Sequence, residues 1–184
     1  MKKEKLLNIP NAITTSRVVI TLFIIVSSIV NPNLMNIVIA FIIGMLTDFF
    51  DGFIARRHET TTEFGRRFDM IADRFLMIAT VIVTIIILAE MQKINHIQQI
   101  LMILAREIIA TPFLAYTFVT QKTTLPHARL IGKVTTFMQG VTFPMIILSL
   151  YYQLFAISSY FAILTGVIGL VSGFFYIKDT MVTS

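Results

Sequence analysis

The chain contains no cysteine and no tryptophan. The absence of cysteine excludes disulfides, iron–sulfur clusters, thiolate zinc sites and cysteine nucleophiles. Without tryptophan, any aromatic belt at a membrane interface must come from tyrosine and phenylalanine. Charged residues are also scarce, at 14% of 184 residues, whereas 56% are hydrophobic and the mean hydropathy is +0.82. This composition is typical of a membrane protein rather than a water-soluble one.

The net charge of +5 does not indicate nucleic-acid binding, because the basic residues fall at the ends of apolar runs. Lys93 is the one basic residue in a loop predicted on the opposite side from the others. The positive-inside rule therefore predicts a multi-pass protein of the cell membrane with both termini in the cytoplasm. The basic residues assigned to the cytoplasmic side are Lys2, Lys3, Lys5, Arg17, Arg56, Arg57, Arg66, Arg67, Lys122, Arg129 and Lys178.

Apolar runs separated by polar breaks predict an all-α integral membrane protein, with one domain covering residues 1–184. Each run is close to the ~20 residues that cross ~30 Å of hydrocarbon. Because the N-terminus lacks a small-residue cleavage pattern, we expect its first segment to be a retained helix rather than a signal peptide. The six predicted spans are 13–30, 34–56, 67–89, 97–120, 129–152 and 156–177.

Shorter segments complete the predicted topology. Residues 2–9 are expected to form a short interfacial helix, which Pro10 and Asn11 end before the first span. Asn31, Pro32 and Asn33 predict a tight turn. The three histidines are expected in loops, and they are His58, His96 and His127.

Four aspartates interrupt the second and third spans. Asp48 and Asp51 are three residues apart, and Asp69 and Asp73 are four apart, so each pair shares a helix face. Because a carboxylate at mid-membrane costs roughly 2.5–3.5 kcal/mol, four of them need compensation. If the two spans are antiparallel, both pairs can converge on a polar cavity that opens toward the cytoplasm.

The chemistry of these side chains predicts a divalent-cation site. Carboxylates without histidine or cysteine partners suit Mg²⁺, Mn²⁺ or Ca²⁺, and four can hold two cations. Gly52 and Gly65 permit a close approach of a ligand or a helix, and Arg56 suits a phosphate. Arg74, beside Asp73, is expected to be an internal ion-pair partner. The same acids could alternatively form a proton or cation pathway.

The complete pattern D-x2-D-G-x2-A-R-x8-G-x3-D-x3-D, from Asp48 to Asp73, resembles the signature of the CDP-alcohol phosphatidyltransferase family. The resemblance implies a dimeric helical membrane enzyme with two divalent ions, Mg²⁺ or Mn²⁺. It implies that CDP-diacylglycerol is the donor and that CMP is released when an alcohol attacks. By position, Asp48, Asp51 and Asp69 match metal ligands, and Asp73 matches a ligand that is also the general base. The positions matching the CDP-binding residues are Asp51, Gly52, Ala55, Arg56, Gly65 and Asp69.

Three further segments bear on the acceptor. Residues 8–17, 105–107 and 132–136 resemble elements of bacterial family members that make phosphatidylglycerophosphate. Thr135 stands where the last element has lysine, and the stretch 69–74 also departs from that subfamily. The implied acceptor is glycerol 3-phosphate, with phosphatidylglycerol or an inositol phosphate as alternatives.

Three basic residues form the predicted acceptor pocket. Arg106 lies well inside the fourth span, where an unpaired guanidinium is costly, so it should face the bundle interior. Arg129 and Lys133 are four apart on one face of the fifth span and would complete a site for a phosphorylated alcohol. Arg129 could instead extend to lipid headgroups. Two other functional classes remain, a cation or proton transporter and a purely structural membrane subunit.

Overall fold

The computed structural model describes residues 9–58, 63–109, 112 and 130–182, and every regular element in these ranges is helical. The predicted all-α class is therefore confirmed for the described chain. The fold divides into two compact units between Gln92 and Lys93.

The first unit contains three long helices, α1 (Ile9–Val30), α2 (Leu34–His58) and α3 (Glu63–Glu90), which pack against one another. The predicted break at Pro10 and Asn11 is wrong, because α1 runs through both residues. Proline is tolerated there because the first-turn N–H groups have no partner within a helix. The rest of the predicted interfacial helix, residues 2–8, lies outside the described residues.

Local hydrogen bonds define the start of α2 and the end of α3. Asn33 begins α2 by accepting a hydrogen bond from the Met35 N–H at 2.9 Å through its side-chain oxygen. The predicted turn at residues 31–33 is thus confirmed. After α3, Gln92 adopts a φ of 57° and its N–H bonds to the Ala89 carbonyl at 3.0 Å. This left-handed residue ends the helix.

The second unit contains α4 (Ile94–Ile103), a helical segment at 105–109, α5 (Leu130–Leu148), a 3₁₀ helix (Gln153–Ile157) and α6 (Ser158–Val182). The expectation that His96 lies in a loop is wrong, because α4 already begins at Ile94. The N–H groups of His96 and Ile97 bond to the Lys93 carbonyl, at 3.1 and 3.2 Å, and close the first turn.

The distribution of polarity is that of a membrane protein. The buried set includes Arg17, Thr21, Thr80 and Thr84 in the first unit. Large apolar side chains are exposed instead, among them Phe23 at 58%. Buried threonines satisfy much of their own hydrogen bonding, since Thr21 donates to the Arg17 carbonyl and Thr84 to the Thr80 carbonyl, both at 2.8 Å.

Three helical stretches in the described part of the chain are long and apolar enough to cross a membrane: Ile71–Glu90, Leu130–Leu148 and Gln153–Phe175. They coincide with the third, fifth and sixth predicted spans. The apolar stretches Thr15–Val30 and Leu34–Thr47 are shorter and lie within the first and second. Residues 113–129 are outside the described ranges, so the fourth span and the six-span count stay predictions.

Close helix packing depends on glycine at two places. A Cβ on Gly44 of α2 would lie 2.7 Å from Leu76 Cδ2 of α3 and 3.7 Å from Ile20 Cγ2 of α1. In the second unit, a Cβ on Gly166 of α6 would lie 3.0 Å from the Met102 carbonyl oxygen. These glycines let neighbouring backbones approach as small residues do in membrane helices.

Candidate active site

The helical hairpin α2–α3 carries all four predicted metal ligands. Asp48 and Asp51 lie within α2, and Asp69 and Asp73 lie within α3. Only residues 59–62 separate these helices, which also contact each other. The short connection and the contact support the predicted antiparallel arrangement of the two acidic helices, which stays a prediction.

The contact between Gly44 and Leu76 sets the register of this hairpin. In antiparallel helices, a step forward along one chain matches a step backward along the other. By this register, we expect Asp48 near the level of residue 72 and Asp51 near the level of Asp69. The aspartates of α2 follow Gly44 by four and seven residues, and those of α3 precede Leu76 by three and seven.

These spacings also fix the helix faces. Residues separated by three, four or seven positions share one side of an α-helix. Both acidic pairs thus lie on the helix sides that meet at the Gly44–Leu76 contact. Along the axis, each pair extends over only about one turn of ~5.4 Å. We consequently expect the four positions near one level of the hairpin.

Among the four aspartates, Asp73 is the one whose side chain is described, and it pairs with a residue of another helix. Its Oδ1 accepts a hydrogen bond from Arg17 Nη1 of α1, and the two groups form an ion pair. The Arg17 side chain is 0% exposed, whereas the Asp73 side chain is 41% exposed. One side of this carboxylate is therefore anchored in the helix interface while the other is open.

The remaining signature side chains, those of Asp48, Asp51, Gly52, Ala55, Arg56, Gly65 and Asp69, lie outside what the structure describes. Among the described side chains, no group of three or more His, Cys, Asp or Glu residues lies together. The donor set still fits a hard cation, because all four candidate ligands are carboxylates carried by two contacting helices. The role of each as a metal or CDP ligand stays a prediction, as does an ion pair of Arg74.

The second unit positions the predicted acceptor residue Arg106. Its Nη1 donates to Thr136 Oγ1 at 2.7 Å and to the Gly132 carbonyl at 3.3 Å, and it lies 3.7 Å from Glu107 Oε1. The side chain is 17% exposed. The prediction that Arg106 faces the interior of its helical bundle is confirmed for this unit.

Small residues and one buried amide hold the backbone around Arg106. A Cβ on Gly169 of α6 would lie 3.4 Å from Arg106 Cβ, and one on Gly173 would lie 3.3 Å from Ile109 Cγ2. Just before Arg106, the Ile103 carbonyl accepts a hydrogen bond at 2.7 Å from the buried Gln139 amide of α5. The segment is thus fixed from two neighbouring helices.

The other members of the predicted acceptor pocket are less defined. Lys133 is exposed and directly follows Gly132, whose carbonyl accepts the Arg106 hydrogen bond. Arg129 lies outside the described residues. Thr135 and Thr136 bond back to the carbonyls of Ile131 and Gly132, at 2.8 and 3.1 Å. Thr136 is thus the hydroxyl that joins α5 to Arg106.

A second polar cluster lies at the start of α4, where His96 Nε2 is 3.2 Å from Ser149 Oγ. Ser149 donates to the Ile146 carbonyl at 2.7 Å, so its oxygen accepts from the His96 N–H. The buried Nδ1 has no hydrogen-bond partner among the described residues. Burial first and the nearby Lys93 charge second lower the pKa of His96 below its ordinary 6.5, which favours the neutral ring.

Sequence reasoning missed two polar contacts. Arg17 was assigned to the cytoplasmic set of basic residues, yet it is fully buried against Asp73. The available signal was its place at the end of the 8–17 element, three residues after Thr14. Gln139 had no such signal, since a lone glutamine in an apolar run does not reveal which carbonyl it will bond.

Comparisons with known proteins agree with this architecture. A family model described as CDP-alcohol phosphatidyltransferase matches residues 7–171. A Rickettsia felis protein named CDP-diacylglycerol–glycerol-3-phosphate 3-phosphatidyltransferase is 34% identical over 145 residues, covering 77% of this chain and 75% of the relative. A protein of the same name from Wigglesworthia glossinidia brevipalpis is 31% identical over 167 residues, covering 89% and 85%. One from Yersinia enterocolitica is 33% identical over 137 residues, covering 72% of each chain.

Proposed function

Because the chain belongs to the CDP-alcohol phosphatidyltransferase family, we propose that it transfers a phosphatidyl group from CDP-diacylglycerol to glycerol 3-phosphate. The products are phosphatidylglycerophosphate and CMP, which places the enzyme in phospholipid biosynthesis. Relatives covering most of the chain carry the name of this reaction. The observation that supports the proposal is that all four predicted carboxylates lie on α2 and α3, two helices that contact each other.

The reaction requires a new bond between the acceptor hydroxyl oxygen and the phosphorus that carries diacylglycerol. The bond from that phosphorus to the CMP oxygen breaks, and the hydroxyl proton must be accepted as the oxygen attacks. Asp73 is suited to accept it, because its carboxylate is half-exposed and anchored on one side. No covalent nucleophile is evident in the sequence, so we favour direct in-line attack.

The carboxylates of Asp48, Asp51, Asp69 and Asp73 would hold two divalent ions, Mg²⁺ or Mn²⁺. Bound there, the ions would neutralise the pyrophosphate and stabilise the charge on departing CMP. Gly52, Ala55, Arg56 and Gly65 match the family's CDP-binding positions in α2 and α3. A guanidinium at residue 56 suits a phosphodiester because it can donate two parallel hydrogen bonds.

The acceptor is assigned to the second unit. Arg106 is held in place by Thr136 and Gly132, so its charge is pre-organised for a phosphate. Lys133, exposed on α5, supplies a second positive charge, and Arg129 is proposed as the third. A cluster of cations favours glycerol 3-phosphate over phosphatidylglycerol, whose reacting headgroup end is neutral.

The remaining assignments follow from the charge pattern and the family. We place the enzyme in the cell membrane with both termini in the cytoplasm, where CDP-lipid headgroups and glycerol 3-phosphate meet. We assign it a homodimeric state on the family resemblance. Membrane lipids surround the exposed apolar side chains of its helices.

An acceptor screen in detergent tests the reaction. The purified protein is supplied with CDP-diacylglycerol and Mg²⁺ or Mn²⁺, and CMP release is measured with glycerol 3-phosphate, phosphatidylglycerol and an inositol phosphate in turn. We expect release with glycerol 3-phosphate and its loss with a chelator. Release with another alcohol alone would reassign the acceptor. No release with any alcohol would contradict the proposal that the protein is an enzyme.

The variant Lys133→Ala tests the acceptor pocket in the same assay. The change should raise KM for glycerol 3-phosphate more than KM for CDP-diacylglycerol, since it removes a cation from the acceptor site alone. Equal effects on both substrates would count against this pocket. Flux of protons or cations across proteoliposomes, independent of CDP-lipid, would instead favour a transporter.

A further inference from the structure

Arg17 binds one of the two carboxylate oxygens of Asp73, so the two oxygens have different surroundings. Arg17 Nη1 engages Oδ1, the arginine side chain is 0% exposed, and the aspartate side chain is 41% exposed. The anchored oxygen therefore lies on the interior side, and Oδ2 is the oxygen left for chemistry. The pair joins α1 to α3 and involves residues 56 positions apart, so it is a tertiary contact.

A buried guanidinium does not readily release its carboxylate. Separation of a buried guanidinium from a carboxylate removes a compensating negative charge from the helix interface, which is strongly unfavourable. The Arg17 side chain lies on the α1 face that also contains buried Thr21 and Ile24, one and two turns further along. The guanidinium is therefore shielded from water where it contacts Asp73.

We infer that Arg17 is a positioning residue that reserves Oδ1 of Asp73 and thereby presents Oδ2 as the single reactive oxygen. This inference rests on the proposed function. Asp73 then contacts a cation through one oxygen at most, and it cannot bind bidentately. A carboxylate held in this way stays available to the acceptor hydroxyl, and its orientation does not depend on the bound ion.

The inference predicts a specific pattern for Arg17→Met, which keeps the volume and removes the charge and the donors. Loss of the anchor should lower kcat roughly 100-fold, in the range contributed by a positioned general base. KM for CDP-diacylglycerol should change less than threefold. The Kd for Mn²⁺, measured by electron paramagnetic resonance without any substrate, should stay within threefold or become tighter, because a neighbouring positive charge is gone.

Matched variants separate positioning from a structural role. Arg17→Lys should recover at least tenfold in kcat over Arg17→Met, since an ammonium can still donate to Oδ1. Thr21→Val lies one turn along the same buried face and should keep kcat and the Kd for Mn²⁺ within threefold. Asp73→Asn combined with Arg17→Met should lower kcat no further than Asp73→Asn alone, because Arg17 acts through Asp73.

Other outcomes overturn the inference. A rise in KM for CDP-diacylglycerol with kcat preserved would make Arg17 a substrate ligand. Unchanged kcat in the folded fraction, with only a lower melting temperature, would make the pair a helix clamp. Weaker Mn²⁺ binding by tenfold or more would give Arg17 a role in metal affinity.

If Arg17→Met does not fold, Arg17→Lys and Arg17→Gln carry the same comparison. Absence of CMP release by the wild-type enzyme would defeat the proposed function and would leave the Mn²⁺ readout intact.

Discussion

At the scale of single residues, the two arginines that are buried or partly buried each lie next to an acidic side chain. Arg17 is fully buried and pairs with Asp73, and Arg106 is partly buried with Glu107 and the Thr136 hydroxyl around its guanidinium. An unpaired charge in a low-dielectric interior is strongly unfavourable, so such residues persist where a partner or a function compensates them. Both arginines meet an acidic group near a predicted substrate site, which connects their stabilisation to the chemistry.

Asp73→Asn tests the proposed base. The amide oxygen can still accept the Arg17 hydrogen bond, so the protein should fold, with a lower melting temperature because the compensating charge is gone. An amide cannot accept the acceptor proton. Turnover should fall at least ~100-fold. CMP release per folded molecule in detergent provides the measurement, and a rate close to that of the wild type would refute the role.

His96 should make the stability of the protein depend on pH. Because burial and Lys93 lower the pKa of His96 in the folded state, the unfolded chain binds a proton more readily. The folded form is therefore favoured above pH 6.5 and loses this contribution as the pH falls toward the lowered folded value. Melting temperatures between pH 7.5 and 5.5 should drop more for the wild type than for His96→Gln, which keeps a donor for Ser149. Parallel curves would exclude His96 as the cause.

At the scale of helices, glycine decides how near the segment at 102–109 comes to α6. Gly166 faces the Met102 carbonyl, while Gly169 and Gly173 face Arg106 and Ile109. The spacing of three and four residues puts the three glycines on one side of α6, and this side faces the segment at 102–109. The helix packing and the predicted acceptor site thus depend on the same contact.

Gly166→Ala should destabilise the protein. Its Cβ would meet a backbone oxygen at 3.0 Å, which no side-chain rotation can relieve. Overpacking of this kind costs roughly 1–3 kcal/mol, against about 1 kcal/mol gained from alanine's helix propensity. Gly169→Ala is the control, since its Cβ would make an ordinary 3.4 Å contact with Arg106 Cβ. Thermal unfolding in detergent should rank Gly166→Ala below both Gly169→Ala and the wild type, and equal melting temperatures would contradict the packing argument.

At the scale of the whole molecule, both units expose many large apolar side chains and bury some polar ones, as expected when lipid rather than water is the solvent. The chain offers a clean test of its topology because it has no cysteine. Lys93→Cys should react with an impermeant maleimide on intact cells, since residue 93 lies in a predicted external turn. His127→Cys should react after permeabilisation alone. The reverse pattern would invert the predicted orientation.

The sequence predicted the features that depend on pattern and composition. Helical class, the turn at residues 31–33 and the placement of both acidic pairs on two adjacent helices all follow from periodicity and short loops. It did not predict that α1 continues through Pro10, that His96 lies in α4, or that Arg17 reaches Asp73. Those outcomes depend on first-turn proline tolerance and on contacts between distant residues, which local patterns do not encode. The single domain, the six spans and the metal-ligand roles stay predictions.

The most direct test of the central claim is a Mn²⁺ titration of the purified protein, with bound ion counted by electron paramagnetic resonance. If the four carboxylate positions at one level of α2 and α3 form a cation site, the wild type should bind two Mn²⁺ ions per chain. Asp51→Asn and Asp69→Asn, which change the two level positions, should each weaken binding by at least tenfold, while Glu90→Gln at the far end of α3 should not. Absence of saturable binding, or binding indifferent to the two aspartates, would contradict the account.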